Sequence, residues 1–582
     1  MTSALSAFGV TTQQRVLEIP EILELVFSFL DDKSNANNIT VCKRWSELAL
    51  NMVWREVSDV HRLFSLLAPM QLQPLSLHDR DCKDYYIFTR TLDVSDWERF
   101  GRYARRVRAL HLDENEAKTL VAREAFDEIS RTRVSLNILP NLRQLTWVAC
   151  NIERMRLSLM FQHENILDFA VYVHRSPTYP TSTFFKEVML RMPRLRNLDM
   201  RFNFCANDEE GDLVELFLGL PRLKKVIMPL YTLTPVIMEK LSELKELQTV
   251  QFEFREAQGR GAIEDVARFA PQLKEGAFPA LGDLSLSAKL PDMTHFLCSS
   301  FAPVNLTSLY VHTLAAASPD EVHCFLTAVT ENCQLLRRLY LDFFTSMEIR
   351  SDPALPTLTW QTLRPVMYCA NLVEFEVRWD KPFELTQADI EELAAKWPSI
   401  ETLMLNCEPM HVAATPALDL RAVVPFARHC PRLTELGLYV NGDADFDDTE
   451  LDVKPFEGLA RLCMGNSPLA GSGAAALFLS RLCPLGCEVI AGVTWPDGFA
   501  IRDDVLDEET LARLNAQATT WFENWREVNR TLPLLTRLRA EERERRMAME
   551  RELEEMKAKA RAWAEQANMS PVEGKDGSCV IA

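Results

Sequence analysis

No stretch of the 582-residue chain offers eighteen consecutive apolar residues, so the sequence contains no candidate transmembrane helix. Positive charge is in short supply: 64 Lys and Arg stand against 83 Asp and Glu, a formal charge of −19. That balance weighs against nucleic acid or a bare anionic membrane as the main partner, because both select clustered cations. Paired cysteines are missing as well. The 14 cysteines stand singly, at Cys42, Cys82, Cys150, Cys298, Cys333, Cys369 and onward. The nearest pair, Cys483 and Cys487, has no second pair or histidine beside it to complete a tetrahedral zinc site. Buried thiols in a reducing compartment are expected, and no metal. Residues Met1 to Arg15 lack the charged-then-apolar order of a secretory signal, so the expected location is intracellular, cytoplasmic or nuclear.

Catalytic motifs are absent too. The sequence contains no H-E-x-x-H, G-x-S-x-G or G-x-x-x-x-G-K-[ST], and its 10 histidines are dispersed. Gly471-Ser472-Gly473 followed by Ala476 imitates a dinucleotide fingerprint without a buried strand ahead of it. The acidic run Asn441–Asp452 fails as a calcium loop. Counted from Asp443, positions six and twelve hold Asp448 and Lys454 where Gly and Glu are needed. No catalytic residue and no cofactor are expected, and the chain reads as a non-enzyme.

What is present is a globular composition, 47% hydrophobic and 25% charged, and a repeated apolar triplet of the form L-x-x-L-x-L. It occurs as Val107-Leu110-Leu112, Leu142-Leu145-Trp147, Ile166-Phe169-Val171, Leu195-Leu198-Met200, Leu223-Val226-Met228 and Leu247-Val250-Phe252. Leu281-Leu284-Leu286, Leu306-Leu309-Val311, Leu336-Leu339-Leu341 and Leu372-Phe375-Val377 follow, then Ile400-Leu403-Leu405, Leu433-Leu436-Leu438 and Leu459-Leu462-Met464. The first positions of these thirteen copies lie 24 to 36 residues apart. The last two apolar positions of each are two apart, so on a strand they share a face. No single unit can enclose that face, but parallel strands stacked from successive units can. Segments between them, such as Asp212–Leu218, Glu321–Thr330 and Ile390–Lys396, carry helical spacing. Pro140, Pro193, Pro221, Pro279, Pro398 and Pro431 end the preceding helices.

These triplets resemble the leucine-rich repeat family, and Cys333, Cys369 and Cys430 at the helix-to-strand junctions are similar to its cysteine-containing subtype. The family's Asn or Cys three residues past the triplet occurs only as Asn115, Cys150, Asn203 and Asn441, so an irregular horseshoe is expected. An α/β fold follows from the resemblance: a small α-helical domain, a solenoid, and C-terminal helices.

Ahead of the repeats, Pro20 can open a helix because its missing N–H has no partner there in any case. Ile22, Val26 and Leu30 recur every four residues, with Leu23 and Phe27 as a second apolar line. A second helix carries Val41, Trp45 and Leu48, with Trp54 just beyond. Helices apolar on more than one face need a partner to bury the surplus. Ile19-Pro20, Val41-Cys42-Lys43-Arg44-Trp45 and Trp54-Arg55 resemble the F-box family, from which the polar stretch Ser34 to Asn38 departs. The resemblance implies docking to the Skp-type adaptor of a cullin–RING ubiquitin ligase. It assigns that contact to Ile19, Pro20, Ile22, Leu25, Val26, Leu30, Val41, Cys42 and Trp45, without saying which of them belong to the domain's own core.

In a leucine-rich horseshoe the residues between core positions face the concave side. Alternation thus offers Tyr172, Tyr310, His312, Tyr340, Asp342, Glu376, Arg378 and Tyr439 as a target-binding surface, rich in the side chains that dominate protein interfaces. Towards the C-terminus, Leu511 to Leu538 carries Trp521, Phe522 and Trp525 and reads as one or two helices interrupted near Pro533. Arg539 to Arg561 holds eight basic and seven acidic residues at helical spacing. Without a sustained apolar seam this segment reads as a solvated helix, and no oligomer is predicted. Cys579-Val580-Ile581-Ala582 has the form of a C-a-a-X box, which makes Cys579 a candidate prenyl acceptor and membrane attachment reversible.

The expected organisation is a flexible N-terminus (1–14), an F-box (15–58), a helical connector (59–103), the solenoid (104–500), a helical end-cap (501–538), a charged helix (539–566) and a tail (567–582). The function this implies is a non-catalytic substrate receptor of an SCF-type ubiquitin ligase. The alternative is an interaction scaffold, prenyl-anchored at a membrane, with no role in degradation.

Overall fold

The computed structural model describes residues 19–73, 83–253, 256–315, 317–343, 357–409, 416–443, 454–492 and 508–569. Cys82, Cys579, most of the acidic run after Asp443 and the first and last segments of the chain lie outside them. The chain forms two compact units, Met1–Ala317 with Cys324–Leu336, and Ser318–His323 with Arg337–Ala582.

The first unit begins with three helices, α1 (Pro20–Ser28), α2 (Asp32–Asn38) and α3 (Lys43–Val53). Its principal strands are β1 (Glu56–Val57), β4 (Ala109–Asp113), β6 (Gln144–Val148), β7 (Asp168–Tyr172), β8 (Asn197–Arg201), β9 (Lys225–Pro229), β10 (Thr249–Glu253), β11 (Asp283–Ala288) and β12 (Ser308–Thr313). They pair in parallel, each with the next in that order. The second unit repeats the scheme with β13 (Arg338–Asp342), β14 (Glu374–Arg378), β15 (Thr402–Leu405), β16 (Glu435–Leu438), β17 (Arg461–Gly465) and β18 (Glu488–Ala491).

All thirteen sequence triplets end on one of these strands, and no triplet residue is more than 8% exposed. Register carries the repeat from strand to strand. In the first unit the middle residues Leu110, Leu145, Phe169, Leu198, Val226, Val250, Leu284 and Leu309 are successive Cα partners. In the second, Leu339, Phe375, Leu403, Leu436 and Leu462 form the corresponding row. A one-residue slip would turn every such side chain out of the core, so the apolar pattern itself pins the pairing. The rows gain one member the triplets did not include at each end, Val57 against Leu110 and Val489 against Leu462. Burial pushes the junction thiols of Cys333 and Cys430 up to about 12, which keeps them protonated.

Several expectations need correction. The segment read as a helical connector also contains β2 (Met70–Gln73) and β3 (Asp84–Phe88). These form a small sheet with β5 (Thr119–Val121), β2 antiparallel and β5 parallel to β3. The run Tyr85-Tyr86-Ile87-Phe88 favours strand, and His61 stacks on Tyr86 at 3.6 Å. Asn115, Cys150 and Asn203 are exposed, in keeping with the discontinuous ladder read from the sequence. A buried Asn stands instead at Asn406, one residue past its triplet, in a left-handed conformation (φ 46°) that Asn tolerates. Its side chain accepts from Trp379 N–H (2.9 Å) and donates to the Lys381 carbonyl (2.8 Å).

Pro533 does not break the C-terminal helix, which runs continuously over Glu508–Met569. Ala518, Trp521, Trp525, Val528, Leu532 and Thr536 recur at steps of three and four, and all are buried. Trp525 donates its indole N–H to the Ser467 carbonyl (2.9 Å), and Asn529 accepts the Val489 N–H of β18 (2.8 Å). The helix thereby covers the last strand of its unit and satisfies part of an edge that would otherwise invite pairing. Packing of that stripe offsets what the proline costs the helix. Among the described residues no helix is long and apolar enough to cross a membrane.

Candidate functional site

The N-terminal helices divide their apolar residues between two destinations. Leu23 and Phe27 of α1 meet Ala49 of α3 in a core on which Ile39, Trp45, Leu48 and Met52 pack. The Trp45 and Phe27 rings meet edge to face at 5.4 Å. Ile22, Leu25, Val26, Phe29 and Leu30 follow the i, i+3, i+4, i+7, i+8 pattern of a single stripe. Leu25, Val26, Phe29 and Leu30 are exposed and Ile22 half-buried. Ile19, Pro20, Val41 and Cys42 are exposed as well. Of the nine residues singled out in the sequence, only Trp45 is committed to the core. Phe29 was missed, because as the residue closing α1 it lies outside the four-residue rhythm, yet it is the most exposed large apolar side chain of the chain's described residues at 82%.

The polar stretch Ser34 to Asn38 forms α2, and its polarity has a use. Asp31 caps the helix by accepting from Ser34 N–H (2.8 Å). Asn35 is buried and donates to the carbonyls of Phe27 (3.0 Å) and Leu30 (3.2 Å). Those carbonyls close α1; the Phe27 carbonyl also accepts from Leu30 N–H (3.1 Å), and Asn35 adds a bond to each. An apolar residue at position 35 would take the Asn35 bond from the Leu30 carbonyl and leave the Phe27 carbonyl with its backbone partner alone.

The helices are fixed to the repeats at more than one point. Trp54 is buried, with Tyr103 at 5.3 Å edge to face and the Arg62 guanidinium over its ring at 4.7 Å. Arg106 donates to the Glu47 carbonyl (3.1 Å) and also bonds Asn51. Just after Trp54 the backbone enters β1 and joins the repeat sheet against β4. The exposed stripe of α1 therefore stands on a mount with backbone hydrogen bonds as well as side-chain packing.

The strand residues singled out as a target surface fare unevenly. Tyr172, Tyr310 and His312 lie in the first unit, and Tyr340, Asp342, Glu376, Arg378 and Tyr439 in the second. Within the second, register places Tyr340 beside Glu376 and Asp342 beside Arg378. Arg378 pairs with Glu376 (2.5 Å), and Tyr340 donates its hydroxyl to Glu374. Burial, then that carboxylate, drives the Tyr340 phenol upward. His312, Asp342 and Tyr439 are buried and not offered to solvent, a correction to simple alternation. Loops from elsewhere in the chain cover the strand ends. Tyr231, at positive φ (64°), reaches His312 with its hydroxyl (3.1 Å). Tyr439 lies with Phe383, Leu385 and Pro416–Leu418 around a cavity of about 20 Å³. Tyr310 packs edge to face on Phe252 at 5.4 Å. Tyr172 is half-buried, its phenol raised by burial.

A more open feature on the same face of the first unit was not picked out. His111, Thr146, Ala170, Asp199 and Ile227 are successive register partners from β4 to β9, all half-buried. With Asp168, Asn197 and Lys225 they line a groove of about 250 Å³. The groove is ordered by its own bonds. His111 Nδ1 and Thr146 Oγ1 lie 3.0 Å apart, Asn197 donates to Asp168, and Asp199 accepts from Gln258 (2.8 Å) and pairs with Arg201 (2.9 Å). The signal was the alternation already used, applied without a preference for aromatic residues. Among the described residues no group of His, Cys, Asp and Glu is placed to hold a metal ion.

Comparison with known proteins matches residues 20–59 to the F-box-like family model. No curated protein matches the chain in sequence. Among solved structures it is similar to a chain of the Rad7 and Elc1 complex in yeast, with 13% identity over 77% of this chain and 94% of that one, at a TM-score of 0.35. It is also similar to the leucine-rich repeat-containing protein LegL7 from Legionella pneumophila, with 11% identity over 50% of this chain and 81% of that one, at 0.28. A chain of the TLR13–ssRNA13 complex shares 16% identity over 68% of this chain and 52% of its own length, at 0.30.

Proposed function

We propose that this chain, an F-box-like domain built into a leucine-rich-repeat solenoid, is the substrate-recognition subunit of an SCF-type cullin–RING ubiquitin ligase. The observation that carries the reading is the exposed apolar stripe of α1 inside the matched segment, residues 20–59. Four large apolar side chains lie in the open there while Leu23 and Phe27 close the domain's own core, so the stripe is surplus to folding. A Skp-type adaptor is the partner that this domain predicts, and through it the cullin. Target protein would meet the strand faces, at the His111–Ile227 groove and around Tyr340, Glu376 and Arg378. The chain's contribution to the reaction is positional: it holds the target near a ubiquitin donor that other subunits supply. Cys579 as a prenyl acceptor belongs to the same proposal, and Cys579→Ser would then move the protein out of the membrane fraction.

The test is parallel affinity purification of the tagged chain and its Leu25→Asp/Phe29→Asp variant, with mass spectrometry of both. Adaptor and cullin are expected with the wild type alone, and proteins retained by both are target candidates. Undiminished adaptor on the folded variant would reject the assignment.

A further inference from the structure

The terminal helix leaves the body of its unit after Arg539, whose Nε donates to Ser480 Oγ (2.7 Å), and from Glu541 to Trp563 every residue is exposed. Pairs such as Arg545 with Glu541 and Lys557 with Glu554 (2.9 Å) run along its flank. On one side Met549, Leu553, Met556, Ala560 and Trp563 recur at alternating steps of four and three, the spacing of a heptad seam. Five positions fall short of the three to four heptads that mark a stable coiled coil in sequence. Sign sorting of the flanking charges supplies what the length does not. Glu550 and Glu552 flank the N-terminal half of the stripe, and Lys557 and Lys559 the C-terminal half.

We propose that this stripe pairs antiparallel with the same stripe of a second copy of the chain. With Leu553 set against Met556 of the second copy, Met549 meets Ala560, a large side chain over a small one. Glu550 then stands beside Lys557 and Glu552 beside Lys559, and the two-fold axis repeats each pair. Arg546 of one copy falls on Trp563 of the other, where a guanidinium over an indole face is favourable. Parallel pairing sets Glu552 beside Lys557 and Arg545 beside Glu550 but stacks Arg546 on Arg546 in the seam, whereas the antiparallel form sets Arg546 on Trp563, so that layer selects the antiparallel form. Four apolar layers over roughly 16 Å of helix make a weak, concentration-dependent dimer.

Sedimentation velocity of the full chain over a concentration series is the test. Wild type should shift from monomer to dimer, and Leu553→Glu/Met556→Glu should stay monomeric with unchanged helix content by circular dichroism. Glu550→Lys/Glu552→Lys should also be monomeric, and adding Lys557→Glu/Lys559→Glu should restore the dimer. Zero-length carboxyl–amine crosslinking of mixed isotope-labelled copies should join Glu552 to Lys559 between copies. A chain monomeric at every concentration, including one whose helix serves a different partner, would overturn the proposal. A dimer that survives Leu553→Glu/Met556→Glu, or intermolecular crosslinks confined to Glu552 and Lys557, would overturn it as well.

Discussion

Truncating Leu25, Val26 and Phe29 to alanine separates the two roles of the first helix. In the free chain these side chains are 59%, 43% and 82% exposed, so little of their apolar surface helps folding. Full burial of such a side chain stabilises by roughly 1.5–3 kcal/mol. Scaled by the exposed fractions and by the Cβ that alanine keeps, covering all three contributes about 3 kcal/mol to a partner, roughly a hundredfold in Kd. Calorimetric titration of the triple variant with the proposed Skp-type adaptor should show that loss, while its thermal midpoint stays near wild type. Leu23→Ala is the counterpart. Leu23 is fully buried against Phe27 and Ala49, so it should lose about 2–5 kcal/mol of stability in the α1–α3 region. An unchanged Kd in the triple variant would refute the partition. So would a lost Kd accompanied by a large fall in thermal midpoint, since that would make the stripe part of the core.

Three further outcomes follow from the packing. Glu114 is buried with Arg154, whose Nε donates to it at 2.6 Å, and Glu114→Ala would strand that guanidinium; a loss of about 3–5 kcal/mol in urea unfolding is expected, and under 1 would contradict the burial. Arg90 donates to both carboxylate oxygens of Asp96 (2.7 Å each) and holds its carboxyl at about 2, below the ordinary 3.8. A depressed native pKa gives stability that is present above the ordinary value and lost as pH falls from about 4 to about 2. Because Arg90 is half in solvent, the effect is roughly 1 kcal/mol, and Asp96→Asn should flatten that part of the acid unfolding curve. Trp525→Phe keeps most of the packing but drops the bond to Ser467, so a loss of about 1–2 kcal/mol, with faster hydrogen exchange at Glu488–Ala491, is expected. Unchanged exchange there would mean the helix does not protect β18.

The repeats were legible in the sequence because their cause is local. Each triplet has to supply apolar side chains at fixed steps to one strand, and a pattern with that period survives irregular spacing between copies. Prolines ahead of the strands and the order of motif residues from Ile19 to Trp54 are short-range in the same sense. Tertiary structure decided what depends on distant chain. By alternation His312 on β12 and Tyr439 just past β16 face outward, yet Tyr231 and the Pro416–Leu418 segment cover them. The charged C-terminal residues continue a helix through Pro533 because Leu532 and Thr536 on either side of it are buried. Within α1, Leu23 and Leu25 are the same residue type two positions apart. Only the placement of α3 against one face made the first a core residue and left the second in solvent, where a partner can reach it.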